Sequence, residues 1–74
     1  MNKLAELNQG DSAVVCDLAS DGNIRRRLQD IGLIPGTKVE CVHISPLGDP
    51  IAYLIRGTVI ALRYEDSSNI LIQQ

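Results

Sequence analysis

The side chains with the greatest potential for chemistry in this sequence are two cysteines and one histidine, Cys16, Cys41 and His43. Cys41 and His43 lie two residues apart in a predicted strand, so alternation points them to the same side, about 7 Å apart along the backbone. That separation is too long for the thiol–imidazole hydrogen bond that a cysteine nucleophile requires. The pattern therefore favours a buried structural Cys41 and a His43 at the edge of the fold.

A transition-metal site is the alternative for the same three side chains, which would converge if their two strands are neighbours. Structural zinc is usually held by four ligands, often in C-x-x-C pairs. The sequence has neither such a pair nor an obvious fourth ligand. We therefore assign no metal site and no resident cofactor. Transient binding of Fe²⁺ or Zn²⁺ at Cys41 and His43 stays the alternative.

Other signals of catalysis are missing from the sequence. It contains neither G-x-x-x-x-G-K-[ST] nor G-x-G-x-x-G, so we expect no unaided nucleotide binding. The adjacent acids Glu65 and Asp66 fall in a polar turn and are expected to form a solvated face. The sequence predicts a protein that is not an enzyme.

The charge distribution argues against nucleic acid as a partner. The formal net charge is −2, and the only basic run is Arg25 to Arg27, whereas nucleic-acid binders of this size are usually basic. Two interpretations of the run stay open. It is either the solvated face of an amphipathic helix or a charged rim for an acidic partner surface.

The expected compartment is the cytoplasm. The first residues have no continuous apolar region of the kind found in signal peptides. No segment approaches the roughly 20 apolar residues that cross a bilayer, so direct membrane insertion is not expected. In the cytosol both cysteines should stay reduced. The 74 residues provide one modest core, and we expect a single domain over residues 1–74.

The chemistry-bearing residues must be positioned by a mainly β fold, because Val, Ile and Leu fill the core and these residues suit sheets. We expect one helix on which Ile24, Leu28 and Ile31 share a face, capped by Asp21 or Asn23 and ended by Gly32. A short helical turn is expected at 64–69. The five predicted strands are Ser12 to Leu18, Thr37 to Ser45, Ile51 to Arg56, Thr58 to Arg63 and Ile70 to Gln73.

Five short strands cannot form two large packed sheets, but they can curl into a small barrel that leaves few exposed edges. We therefore predict a small SH3-like five-stranded barrel. Its helix lies between the first two strands, and the short helical turn precedes the last strand.

Three segments of the sequence resemble one known family when they are taken together. They carry R-L-x-x-x-G-L-x-P-G from Arg27, P-x-G-D-P from Pro46, and A-L-R from Ala61. Their order and spacing resemble the FeoA family, small accessory proteins of bacterial ferrous iron uptake, over nearly the whole chain from Leu7. Ser67 departs mildly from that pattern, because the family usually carries Ala there.

The resemblance implies a cytosolic regulatory protein that binds FeoB, a GTPase-coupled Fe²⁺ permease, and it leaves a homo-oligomer open. An iron chaperone or sensor is the alternative function. Leu33 and Leu47 lie beside turns, where they either anchor a partner or close the ends of the barrel. The hypothesised partner-binding residues are Arg25, Arg26, Leu28, Leu33, Pro35, Leu47 and Asp49.

Overall fold

The structure is a computed structural model that describes residues 2–19 and 22–74. The strands of this part of the chain are β1 (Asn2–Lys3), β2 (Ser12–Leu18), β3 (Lys38–Ile44), β4 (Ile51–Ile55), β5 (Thr58–Leu62) and β6 (Ile70–Gln73). The helices are α1 (Gly22–Asp30) and α2 (Tyr64–Ser67), and a single turn of 3₁₀ helix spans Leu4–Glu6.

The six strands form one antiparallel sheet in the order β1-β6-β2-β3-β4-β5. The five predicted strands are present, with ends that differ from the prediction by one residue at most. Strand β1 was not predicted, because two residues that pair with Ile72 and Leu71 are too few to show a periodic pattern. The mainly β architecture predicted from the sequence is therefore confirmed, with one short strand added at the edge beside β6.

The core lies against one face of the sheet and is built largely from aliphatic side chains. Strand β4 shows why, since alternate residues Ile51, Tyr53 and Ile55 are buried while those between them are half-buried. The largest fully buried side chains are Tyr53, Leu4, Leu28, Leu33, Ile55, Ile70, Ile72, Val15 and Val39.

Helix α1 packs against this core through the predicted face. Leu28 is buried, and Ile24 and Ile31 are half-buried against the core. The helix is followed by Gly32, whose φ of +99° is accessible to glycine and costly for other residues, as the sequence predicted. Of the two expected caps, Asn23 lies inside the helix, and Asp21 lies outside the described residues.

Strand β3 corrects one expectation about side-chain direction. Cys41 pairs with Tyr53, but His43 pairs with Ala52, so Val42 is an extra residue in the ladder. Such a bulge shifts the alternation by one residue. Cys41 is consequently buried while His43 is exposed, and the expectation that they point to the same side was wrong.

The β4–β5 hairpin is closed by two residues, Arg56 and Gly57. Their φ values of 52° and 81° are both positive, as a type I′ turn requires.

No helix in the described ranges is long and apolar enough to cross a membrane.

Candidate partner-binding surface

The loop between β3 and β4 presents one large apolar side chain to solvent. Leu47 is 95% exposed. The loop beneath it is tied at its base, because the Ser45 hydroxyl donates to the Pro50 carbonyl over 2.6 Å. The Gly48 N–H donates to the Ser45 carbonyl over 2.7 Å. Leu47 therefore projects from a constrained turn, which lowers the entropy cost of ordering it against a partner.

A second contact fixes this loop to helix α2. The Asp49 carboxylate accepts a hydrogen bond of 3.0 Å from the backbone N–H of Tyr64, the first residue of α2. That N–H has no partner within the helix, so Asp49 performs the role of an N-terminal cap from another segment. Tyr64 is itself 55% exposed. We call Leu47, Asp49 and Tyr64 the Leu47 corner.

Helix α2 is also held from the side of α1. Arg27 donates to the Asp66 carboxylate over 2.9 Å, and the Asp66 side chain is only 13% exposed. The expectation that Asp66 belongs to a solvated acidic face was therefore wrong, whereas Glu65 is exposed. This ion pair joins the helix after β2 to the helix before β6, and it steadies the element that carries Tyr64.

The arginine run divides between structure and surface. Arg25 donates to the Leu18 carbonyl over 3.0 Å and lies 3.5 Å from the Asp17 carboxylate, so it binds α1 to the end of β2. Arg26 is exposed. Within residues 2–19 and 22–74, the Arg26 side chain forms neither an ion pair nor a hydrogen bond. Arg26 is the member of the run that is available to a partner.

The remaining partner-binding candidates fall into two groups. Leu28 and Leu33 are buried in the core, with exposures of 1% and 0%. Because they are buried, neither can contact a partner on this surface. Both leucines pack the core, and neither serves as an exposed anchor for a partner. Pro35 is exposed in the turn after Leu33, and it stays a candidate.

The cysteines and the histidine do not form a cluster in the described part of the chain. Cys41 is buried, and burial raises the pKa of its thiol, with the Asp11 and Glu40 charges acting in the same direction. A protonated thiol is a poor metal ligand. Within residues 2–19 and 22–74, no three His, Cys, Asp or Glu side chains are arranged to hold a metal ion. Transient metal binding stays a prediction.

Sequence reasoning missed two features of this surface. Tyr64 was read as part of a polar turn, although a tyrosine directly after A-L-R could have been singled out as an aromatic candidate. The Arg27–Asp66 pair joins residues 39 positions apart, and no local pattern signals such a contact.

The fold defines a class, that of small SH3-like domains, and in this one a loop exposes a large apolar side chain. The chain belongs to the FeoA family, because the FeoA domain model matches residues 2–74. The resemblance inferred from the three motifs is thereby confirmed.

Three relatives place the chain within the family. A Porphyromonas gingivalis fusion of Fe(2+) transport protein A with the Fe(2+) transporter FeoB is 34% identical over 71 residues. Those residues are 96% of this chain but 8% of that protein. The solution structure of a Chlorobium tepidum FeoA protein is 38% identical with a TM-score of 0.87, and the match covers 95% of this chain and 67% of that one.

The third relative supports the SH3-like description. It is the crystal structure of Stenotrophomonas maltophilia FeoA complexed with zinc, described as a prokaryotic SH3 domain protein. It is 28% identical with a TM-score of 0.87, and the match covers 99% of this chain and 91% of that one.

Proposed function

We propose that this chain supports ferrous iron transport by binding an FeoB-type permease directly at its cytosolic face, with the Leu47 corner as the contact. The observation that carries the proposal is the fusion relative, in which a homologous segment and an FeoB transporter share one polypeptide. Domains that are fused in one protein are frequently partners when they are separate chains.

The Leu47 corner has the chemistry of an interface centre. Leu47 is nearly fully exposed, and burying such a side chain contributes roughly 1.5–3 kcal/mol. Tyrosine is over-represented among residues that dominate binding energy, and Tyr64 is exposed at the start of α2. The exposed Arg26 provides charge that orients an approaching partner.

Binding of the purified chain to an FeoB permease in detergent, and to its isolated cytosolic domain, tests the proposal. Leu47→Asn should weaken binding by at least tenfold. Val14→Asn is the matched control, because Val14 is also an exposed apolar side chain, at 42%, but lies on β2. Equal effects of the two substitutions would remove the Leu47 corner from the interface. No binding to either permease preparation would reject the proposed function.

A metal-binding function is the second candidate, because the S. maltophilia relative was crystallised with zinc. His43 is exposed and would be the first contact for Fe²⁺ or Zn²⁺. Anaerobic calorimetric titration should show stoichiometric binding that is lost in His43→Ala. An unchanged titration of that variant would reject this site.

A further inference from the structure

The outer edge of β5 has unused backbone hydrogen-bonding groups. In this antiparallel hairpin the two-residue turn makes Ile55 and Thr58 a hydrogen-bonded pair, and alternation then directs Ile60 towards β4. The N–H and C=O groups of Val59 and Ala61 consequently point away from β4. β5 is the last strand of the sheet, and in the described part of the chain no other strand pairs with this edge.

The edge also lacks the features that usually prevent strand addition. Natural edge strands are interrupted by a charge, a proline or a bulge. The β5 segment Thr58 to Leu62 contains no charged residue, no proline and no glycine. Its register with β4 is unbroken over five residue pairs. A straight segment with two donors and two acceptors is therefore open to another chain.

The side chains beside this edge are apolar on the outer face of the sheet. Val59 is 60% exposed and lies directly opposite the half-buried Leu54. Ala61 is exposed on the same face. In a strand added beside β5, every second side chain would lie on the outer face and cover Val59 and Ala61, since neighbouring side chains on one face of a sheet are in contact.

Positive charge marks both ends of the edge. Arg56 precedes β5 and Arg63 follows it, and both are exposed. Lys38 and Arg56 line one shallow pocket of about 210 Å³ at the turn end. Two carboxylates lie near these positive charges. Glu40 lines the same pocket, and the Glu65 carboxylate lies 3.9 Å from the Arg63 guanidinium in an exposed pair. Exposed pairs of this length contribute little, so Arg63 stays available to another carboxylate.

The charges decide between two occupants of the edge. If a second copy of this chain added its β5 antiparallel about Ile60, Arg63 of one copy would lie beside the Arg56–Gly57 turn of the other. That register brings Arg63 of one copy within one position of Arg56 of the other at both ends, and the repulsion of these like charges disfavours the pairing. An extended segment with carboxylates near both ends would instead meet an arginine at each end.

We propose that the β5 edge accepts an extended acidic segment of a partner protein as a seventh strand. The segment pairs with Val59 and Ala61, alternates apolar side chains over the outer face, and carries carboxylates that reach Arg56 and Arg63. These two residues are seven positions apart, so the segment spans about 23 Å. The inference concerns the β5 edge and not the three residues of the Leu47 corner, and it holds whether or not the permease is the partner.

Two synthetic peptides test this inference on the isotope-labelled full chain by NMR titration. Both alternate valine and threonine over six residues, so their end residues are seven positions apart, as Arg56 and Arg63 are. One has a glutamate at each end, and the other has a lysine at each end. The acidic peptide should shift the amide signals of Val59 and Ala61 first, and should bind at least tenfold more tightly than the basic one. Equal binding of the two peptides, shifts confined to the Leu47 corner, or no shifts at millimolar peptide would overturn the proposal.

Three variants separate strand addition from loss of fold. Ala61→Pro removes an N–H that points to solvent, which edge strands tolerate, and should weaken acidic-peptide binding at least tenfold, whereas Ala61→Val should not. Arg56→Asn suits the positive φ of that turn position, so it should fold at least as well as the parent and bind several-fold less tightly. If Ala61→Pro does not fold, unchanged binding by Arg56→Asn overturns the proposal by itself.

Discussion

The substitutions Leu33→Ala and Leu47→Ala should have opposite consequences, although both remove the same atoms from the same residue type. Leu33 is 0% exposed in the core, and Leu47 is 95% exposed at the tip of a loop. Truncating a buried leucine to alanine costs about 2–5 kcal/mol, because transfer free energy is lost and a cavity is left. Truncating an exposed one changes the free energy of unfolding by about 0.5 kcal/mol or less.

These magnitudes are large against the whole stability of the domain. At about 0.05–0.15 kcal/mol per residue, a chain of 74 residues has roughly 4–11 kcal/mol in total. One kcal/mol shifts the melting temperature of such a domain by about 4–8 °C. Leu33→Ala should therefore lower the melting temperature by roughly 8–40 °C, and Leu47→Ala by about 4 °C at most.

Urea unfolding followed by circular dichroism measures both stabilities, and a permease-binding assay at low temperature measures function. Leu47→Ala should fold normally and bind less tightly. Leu33→Ala should lose binding only in proportion to its unfolded fraction. A loss of more than 1 kcal/mol for Leu47→Ala, or of less than 1 kcal/mol for Leu33→Ala, would refute the assignment of one to the surface and the other to the core.

Three further measurements address the backbone, the thiols and pH. Gly32→Ala and Gly36→Ala should each lower the free energy of unfolding by about 1–2 kcal/mol, because both glycines have positive φ. Gly32→Ala should lower it more, since the new Cβ would lie 3.2 Å from the Arg56 side chain, whereas nothing lies within 4 Å at Gly36. In the native protein only the half-buried Cys16 thiol should react with Ellman's reagent, and the buried Cys41 thiol should react only in urea. Two reactive thiols before unfolding would contradict this expectation. Burial raises the pKa of the Cys41 thiol above its ordinary 9.0 and that of the Tyr53 hydroxyl above 10.0, so the unfolded chain loses these protons first. The contribution of these two groups to the free energy of unfolding should be fully present below about pH 8 and should decline as the pH rises through about 9 to 10. A free energy of unfolding that does not fall between about pH 8 and 10.5 would contradict that sign.

Most of the fold could be predicted because its signals are local. The alternation of apolar residues predicts the strands, Gly32 predicts the end of α1, and the turn residues after Ser45 predict the hairpin between β3 and β4. The direction of His43 could not be predicted, because one extra residue in β3 reverses the alternation and nothing in the local composition marks a bulge.

The candidate site was less predictable than the fold, because its residues depend on contacts across the chain. The exposure of Leu47 agrees with the anchor hypothesis, whereas Leu33 has an equivalent position beside a turn and is buried. Asp49 was predicted to bind a partner, but in the structure its carboxylate caps α2 at Tyr64, 15 residues later in the sequence. Sequence spacing identifies residues beside turns but not which of them the core covers.

The pairing of β1 with β6 has a consequence for how the domain can be tethered. Asn2 lies opposite Ile72, so chain attached at either end of the described sheet leaves from the β1–β6 pair, at the other end of the strand order from β5. A short tether can hold a partner at an effective concentration of about millimolar. A contact with a dissociation constant in the micromolar range would then be almost fully occupied.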